Sequence, residues 1–140
     1  MVYIDANVLV ISLLDLSPRG DSARELMGLI DGGSVEAVTS SLTLDEVMWT
    51  FIKSGRKDSL TKAVSGFYES NVRVVPVSSQ APLNACGIID EYGLDPRDAI
   101  HAAVMKENRM TEILSEDKHF DKVGWMKRYS IEGFIKKFGR

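Results

Sequence analysis

The residues of this chain best suited to chemistry are four carboxylates near the ends of apolar runs or the starts of amphipathic segments. They are Asp5, Glu46, Asp98 and Asp117. Carboxylates gathered within a few ångströms raise one another's pKa, so such a group needs a cation to neutralise it. Oxygen ligands favour a hard cation, Mg2+ or Mn2+, over zinc. A divalent cation held in this way lowers the pKa of a bound water and neutralises charge on a phosphate.

The first two acids also have structural interpretations as helix caps. Asp5 precedes Asn7 at the start of a predicted helix, and either side chain could cap it. Thr43 and Glu46 have the spacing of a capping box, in which the glutamate holds only a backbone N–H. However, Glu46 falls nearly opposite the apolar stripe of its helix, so it faces either water or a polar cleft.

The other two acids are open to similar interpretations. Asp95 and Pro96 have the residue types of a helix start, which places Asp98 in the first turn, where negative charge is favourable. The small residues that follow Asp98 let another backbone approach it closely. Asp117 follows the apolar run 112–114 and has the type of an ordinary turn residue.

The elements that must position these acids are short strands alternating with amphipathic helices. The predicted strands cover residues 2–4, 35–39, 72–77 and 112–114, and apolar stripes with helical spacing run over residues 23–30, 44–51, 60–67, 85–92 and 131–138. This alternation predicts an α/β fold with a central parallel sheet flanked by helices on both faces. Sites on such sheets lie beyond the carboxyl ends of the strands, where all four acids can meet.

Length and charge limit the remaining possibilities. The chain has 140 residues, 44% apolar and 26% charged, which predicts one globular domain over residues 1–140. The net charge is −3, so the surface as a whole does not favour sequence-independent binding of a polyanion. Any contact with nucleic acid must come from local patches.

The cysteine content and the hydropathy pattern predict a cytoplasmic protein. The single cysteine, Cys86, excludes an internal disulfide, and its place in a helical apolar stripe predicts burial. The amino terminus has no basic leader. The apolar run 8–14 is too short to cross a bilayer, so no membrane role is expected.

The four acids lie in the segments Tyr3-Ile4-Asp5-Ala6-Asn7-Val8-Leu9, Leu44-Asp45-Glu46, Asp98-Ala99-Ile100-His101-Ala102-Ala103 and Ser115-Glu116-Asp117-Lys118-His119-Phe120. In this order the segments resemble the PIN-domain nucleases. The match is closest to small stand-alone members typified by the VapC toxins of prokaryotic toxin–antitoxin pairs. The resemblance covers nearly the whole chain.

The resemblance implies a metal-dependent endoribonuclease that hydrolyses RNA phosphodiester bonds as the toxin of such a pair. Its catalytic residues and ligands for one or two Mg2+ or Mn2+ ions would be Asp5, Glu46, Asp98 and Asp117. Asn7 and Ser115 would be polar neighbours of these ligands, and Asp121 an auxiliary acid close by. The expected partners are an RNA substrate, a cognate antitoxin and a second copy of the chain in a homodimer.

Three further side chains lie close to these motifs. His101 follows Asp98 by one helical turn and could touch substrate, although a local hydrogen bond is the more common role. His119 is expected to be an ordinary loop residue. Trp49 lies one turn from Glu46 and could stack on a base, although packing is the more common role.

Two rival functions belong to other classes. A PIN-like module without turnover could act in RNA binding or as a scaffold, but a scaffold has no need of four mutually repelling acids. A Mg2+-dependent phosphotransfer or receiver-type domain would need a phosphoacceptor aspartate in a middle strand. The run 72–77 contains none.

Overall fold

The computed structural model describes residues 1–139, whose strands form one parallel five-stranded sheet. The strands are β1 (Val2–Ile4), β2 (Ala37–Ser40), β3 (Val72–Val75), β4 (Glu112–Leu114) and β5 (Lys127–Tyr129). Their order across the sheet is β3-β2-β1-β4-β5, and every neighbouring pair is parallel. The first strand is therefore central, and its carboxyl end lies between those of β2 and β4.

Helices connect the strands and cover both faces of the sheet. They are α1 (Ala6–Leu14), α2 (Pro18–Asp31), α3 (Ser41–Lys53), α4 (Leu60–Glu69), α5 (Ala81–Tyr92), α6 (Pro96–Glu107) and α7 (Ile131–Phe138), with short 3-10 turns at Lys57–Ser59 and Lys118–Lys122. No helix in residues 1–139 has the length and hydropathy needed to cross a membrane.

Two hydrophobic cores lie on opposite faces of the sheet because side chains alternate along a strand. Val2 and Ile4 of β1 pack in one core, with apolar side chains of α1–α4 and α7. Tyr3, between them, packs in the other core with side chains of α5 and α6. The predicted α/β architecture is confirmed.

The predicted strands agree with the structure to within about two residues at their ends. β1 and β4 have the predicted bounds, whereas β2 starts later than predicted and β3 ends earlier. β5 was not predicted. It is an edge strand whose sequence Lys127-Arg128-Tyr129 lacks an apolar run, and charged residues are common on edge strands because they discourage pairing with other chains.

The prediction that Cys86 is buried was wrong. Helix α5 buries Ala81, Ala85 and Ile88, a set spaced by four and three residues, and Cys86 lies one position out of step and is exposed. The helical stripes have similar exceptions. Met48 of α3 is 38% exposed and Phe138 of α7 is 40% exposed.

Candidate active site

A cavity of about 440 Å³ contains all four predicted acids. Asp5 directly follows β1, and Glu46 lies in α3, which begins directly after β2. Asp117 lies in the loop after β4, and Asp98 lies in the first turn of α6. The structure thus brings together acids from four separate parts of the chain.

Asp5 both caps a helix and belongs to the site. One carboxylate oxygen accepts a hydrogen bond from the Ala6 N–H at 2.8 Å. The other accepts from the Ser115 hydroxyl at 2.6 Å and the Asn7 amide at 3.1 Å. Burial raises the pKa of the Asp5 carboxyl, a shift to which nearby Glu46 adds and which the Ser115 hydrogen bond opposes. Asp5 is only 6% exposed.

Asn7 and Ser115 link the loop after β1 to the loop after β4. The Asn7 amide also lies 3.3 Å from the Ser115 hydroxyl oxygen, and its carbonyl oxygen accepts from the Glu116 N–H at 3.1 Å. The Ser115 hydroxyl oxygen accepts from the Asp117 N–H at 3.0 Å. These contacts fix the loop that carries Asp117 relative to Asp5.

Glu46 does not belong to a capping box. Helix α3 starts at Ser41, so Thr43 lies inside the helix and is fully buried. The Glu46 carboxylate instead lines the cavity, accepts a hydrogen bond from Nε2 of His101 and lies 4.0 Å from Nη1 of Arg97.

His101 contacts more of the site than its sequence position indicates. It is fully buried, and within residues 1–139 its ring contacts distant residues in place of the local hydrogen bond expected. Nε2 faces Glu46, while Nδ1 lies 2.7 Å from the Tyr3 hydroxyl. The Tyr3 hydroxyl also lies 2.7 Å from the Ser40 hydroxyl. The only sequence signal for this chain of contacts was a polar ring in a run of small apolar residues on α6.

Tyr3 keeps its proton because burial raises the pKa of its hydroxyl far above the ordinary value. An ionised Glu46 is an acceptor only, so Nε2 of His101 carries the hydrogen in that contact. With a neutral imidazole, Nδ1 is then the acceptor and the Tyr3 hydroxyl donates to it. The contacts from Ser40 to Glu46 therefore form one directed chain of hydrogen bonds.

Asp98 shows the electrostatic strain expected of a carboxylate cluster. The pKa of the Asp98 carboxyl is raised to about 6, chiefly by burial and further by the negative charges of Asp117 and Asp5. Asp117 accepts from the His119 N–H at 2.9 Å, and its carboxylate lies 3.0 Å from Nδ1 of the same histidine. His119 thus contacts an acid of the cavity, a contact that the sequence analysis did not predict.

The residues in the cavity fit a divalent cation. Within residues 1–139, the carboxylates of Asp5 and Glu46 lie close enough to share an ion beside Nε2 of His101, which donates to Glu46. Asp98, Asp117 and His119 form a second such group. Carboxylate oxygens dominate both groups, which favours Mg2+ or Mn2+. The repulsion that raises the pKa of Asp98 is also what a bound cation would relieve.

Asp121 lies outside the cavity lining. Its carboxylate makes two contacts with the Arg128 guanidinium, at 2.9 and 3.2 Å. Arg128 in turn donates to the Ser115 carbonyl oxygen at 2.9 Å. Asp121 therefore reaches the site only through Arg128 and the Ser115 backbone.

The class of this protein follows from a comparison with known families. The model of the PIN domain matches residues 2–126, a stretch that contains all four acids. The chain belongs to the PIN domain family. The resemblance seen in the sequence motifs is confirmed.

Named relatives of this PIN domain include ribonucleases and toxins. Ribonuclease VapC13 of Mycobacterium tuberculosis is 25% identical over 129 residues, which cover 91% of this chain and 98% of the relative. The structure of VapC20 from the same species, a toxin that cleaves the sarcin-ricin loop, matches with a TM-score of 0.72 and 17% identity over 89% of this chain and 95% of that one. A toxin–antitoxin complex from Klebsiella pneumoniae matches with a TM-score of 0.66 and 20% identity over 91% of this chain and 96% of that one. At these identities the two structures establish the fold of this PIN domain.

Proposed function

We propose that this PIN domain is a divalent-metal-dependent endoribonuclease and the toxin of a toxin–antitoxin pair. The observation that carries the proposal is the convergence of Asp5, Glu46, Asp98 and Asp117 on one cavity. A helix cap or a scaffold would not need carboxylates whose charges oppose one another. The naming of its relative as a ribonuclease supports RNA as the substrate.

The four acids would hold one or two Mg2+ or Mn2+ ions. When bound, the cation lowers the pKa of an attacking water and neutralises charge on the scissile phosphate. Without it, the acids of the cavity would repel a phosphodiester. We propose these four acids as the metal ligands and Mg2+ or Mn2+ as the ion.

The residues around the acids fix the geometry of the ligands. Asn7 and Ser115 hold Asp5 through hydrogen bonds to one carboxylate oxygen. His101 holds Glu46. Asp5 and Glu46 have side chains only 8% and 20% exposed, whereas Asp117 is 30% exposed. Asp117, or Asp98 beside it, is therefore best placed to orient a water that enters from solvent.

We propose two protein partners for this chain, a cognate antitoxin and a second copy of itself. The Klebsiella pneumoniae neighbour is a toxin–antitoxin complex, which supports a cognate antitoxin for this chain. A homodimer and a cytoplasmic location belong to the same proposal. Sedimentation of the purified chain gives its mass in solution and tests whether it is a dimer. Sedimentation with the product of a short adjacent reading frame tests whether that product binds the chain as an antitoxin.

The product ends test the reaction itself. Attack by water on phosphorus leaves 5′-phosphate and 3′-hydroxyl ends, and it does not need the 2′-hydroxyl of the RNA. We expect cleavage with Mn2+ to survive a single 2′-deoxy substitution at the mapped cleavage point and to stop in EDTA. Cleavage that persists in EDTA and stops with the 2′-deoxy sugar would instead indicate general acid–base catalysis by the histidines.

The rival function is a PIN module that binds RNA without turnover. It predicts that the chain shifts an RNA in a gel and never cuts it, with any divalent cation. The receiver-type alternative is excluded because the chain belongs to the PIN domain family.

A further inference from the structure

The indole ring of Trp49 is an exposed part of the lining of the acidic cavity. Trp49 follows Glu46 by three residues on α3, so the two side chains lie on neighbouring parts of the helix surface. Both line the same cavity, and Trp49 is 53% exposed. A large aromatic surface therefore faces solvent one helical turn from a proposed metal ligand.

Packing does not account for this position. Helix α3 packs on the core through Leu44, Val47 and Phe51, which are at most 3% exposed. Within residues 1–139, Trp49 forms no aromatic pair. Its charged neighbour Lys53 has Nζ 6.0 Å from the ring centroid, the outer limit of a cation–π contact. The ring thus contributes little to folding and remains accessible.

Three cationic side chains line the same cavity as the ring, one of which, Arg19, is paired with Asp15 at 3.1 Å. The three are Arg19, Lys53 and Arg97. Arg97 is 55% exposed and only 4.0 Å from the Glu46 carboxylate, at the limit of an ion pair. Lys53 makes no ion pair within the described part of the chain. An exposed aromatic ring beside flexible cations is the combination by which proteins hold single-stranded nucleic acid.

We infer that Trp49 is a stacking subsite for one unpaired base of a single-stranded RNA, with Lys53 contacting the adjacent phosphate. This inference rests on the proposed ribonuclease function and adds the residues that would hold the RNA strand beside the acids. A base inside a duplex has both faces covered by its neighbours, so only a loop, a bulge or a free strand presents one to the ring. The stacked base fixes the register of the strand and places a neighbouring phosphate over the acids.

The neighbours of Trp49 on α3 provide a matched control. Met48 and Ile52 are 38% and 47% exposed, but neither lines the cavity. A protein-binding surface on α3 would use these two side chains together with Trp49. A base-stacking subsite uses Trp49 and neither Met48 nor Ile52.

Fluorescence tests the contact without relying on turnover. The chain has two tryptophans, so Trp125→Phe leaves Trp49 as the only one, and Asp98→Asn in the same protein prevents cleavage. We expect a short single-stranded oligoribonucleotide, with Mg2+ present, to quench Trp49 emission strongly. The same strand annealed into a duplex should quench it weakly. Equal quenching by both forms, or none by either, overturns the inference.

Cleavage kinetics test the consequence for the substrate. Base–aromatic stacking accounts for a change of about ten- to a hundredfold in binding, so Trp49→Leu should lower kcat/KM on a single-stranded RNA by that factor. Trp49→Phe should fall between Trp49→Leu and the wild type. Ile52→Ala should match the wild type, and melting curves of all three variants should stay close to it because the side chains are exposed.

The outcomes separate the two proposals. If the wild type cuts no RNA with Mn2+, the ribonuclease proposal fails, while the quenching still decides the stacking subsite. If the wild type cuts and Trp49→Leu cuts equally well, the stacking subsite is wrong and the ribonuclease proposal stands. Equal loss of self-association in Trp49→Leu and Ile52→Ala, with cleavage unchanged, would assign the ring to a protein contact.

Discussion

The Tyr3 hydroxyl lies 2.7 Å from Nδ1 of His101, although the two residues are 98 positions apart in the sequence. Their rings also pack edge to face, with centroids 5.6 Å apart. The tyrosine thereby sets the orientation of the imidazole, and the imidazole holds Glu46 in the cavity. A residue of the central strand thus controls a carboxylate of α3 without touching it.

Tyr3→Phe removes this hydroxyl and leaves the ring. Because Nδ1 of His101 then lacks its partner in a buried place, we expect the free energy of unfolding to fall by about 1–3 kcal/mol. We also expect kcat to fall, since Glu46 is held less firmly. Urea denaturation and cleavage assays measure the two effects.

Tyr129→Phe is the matched control for Tyr3→Phe. The Tyr129 hydroxyl is also bound to a partner, Glu112, at 3.0 Å, but Tyr129 does not line the cavity. This change should cost some stability and leave kcat unaltered. An equal loss of kcat in both variants would mean that general destabilisation, rather than the orientation of His101, limits turnover.

Asp98→Asn should abolish cleavage and leave the fold intact or slightly more stable. The change removes one charge from a repelling cluster and keeps the shape of the side chain. Thermal melting and cleavage assays check both parts. Asp95→Asn is the control, because Asp95 starts the same helix without a side-chain capping bond and should stay active. Loss of the thermal transition in Asp98→Asn would instead make Asp98 a structural residue.

Millimolar Mg2+ or Mn2+ should raise the melting temperature of the wild type, because a ligand that binds only the folded state stabilises it. The effect should shrink in Asp5→Asn, which keeps the ability to cap α1. Asp45→Asn removes an exposed charge next to Glu46 and should respond like the wild type. A response that is the same in all three proteins would place the cation elsewhere.

In EDTA, the free energy of unfolding should rise as the pH is lowered from about 7 to about 5. The pKa of Asp98 is raised from 3.8 to about 6 in the folded chain, so the folded state takes up the proton first. The contribution of Asp98 to stability therefore grows as pH falls through about 6 and is complete below its ordinary pKa. The difference between the wild type and Asp98→Asn, measured by denaturation at each pH, isolates this group.

Protonation of Asp98 should stabilise the metal-free chain but weaken the binding of the metal. Protons compete with the cation for the carboxylates, so the gain in melting temperature from Mg2+ should weaken below about pH 6. A gain that does not depend on pH in this range would argue against Asp98 as a ligand.

The positions of the acids could be predicted because each lies next to a recognisable strand end or helix start in the sequence. Asp5 and Asp117 follow buried strands, and Asp98 follows a proline at a helix start, so the ends of parallel strands predicted their meeting place. For Glu46, the prediction also depended on the helical wheel, which places it opposite the apolar stripe of its helix.

The partners of these acids could not be predicted in the same way. The contact between Tyr3 and His101 joins β1 to α6 across most of the chain, and no periodicity specifies which buried polar groups will meet. β5 was missed because an edge strand carries charges in place of an apolar run. Cys86 was misplaced because a helix stripe is defined only to within one position.

The last strand and helix hold the loop that carries Asp117. The Ser115 N–H donates to the Tyr129 carbonyl oxygen at 3.0 Å, and Arg128 donates to the Ser115 carbonyl oxygen. The Glu116 carboxylate accepts from the Ile131 N–H at 2.8 Å. A chain truncated after Met126, where the family match ends, would keep all four acids of the cavity yet lose these hydrogen bonds. We therefore expect the fragment needed for activity to extend past the segment that the family model matches.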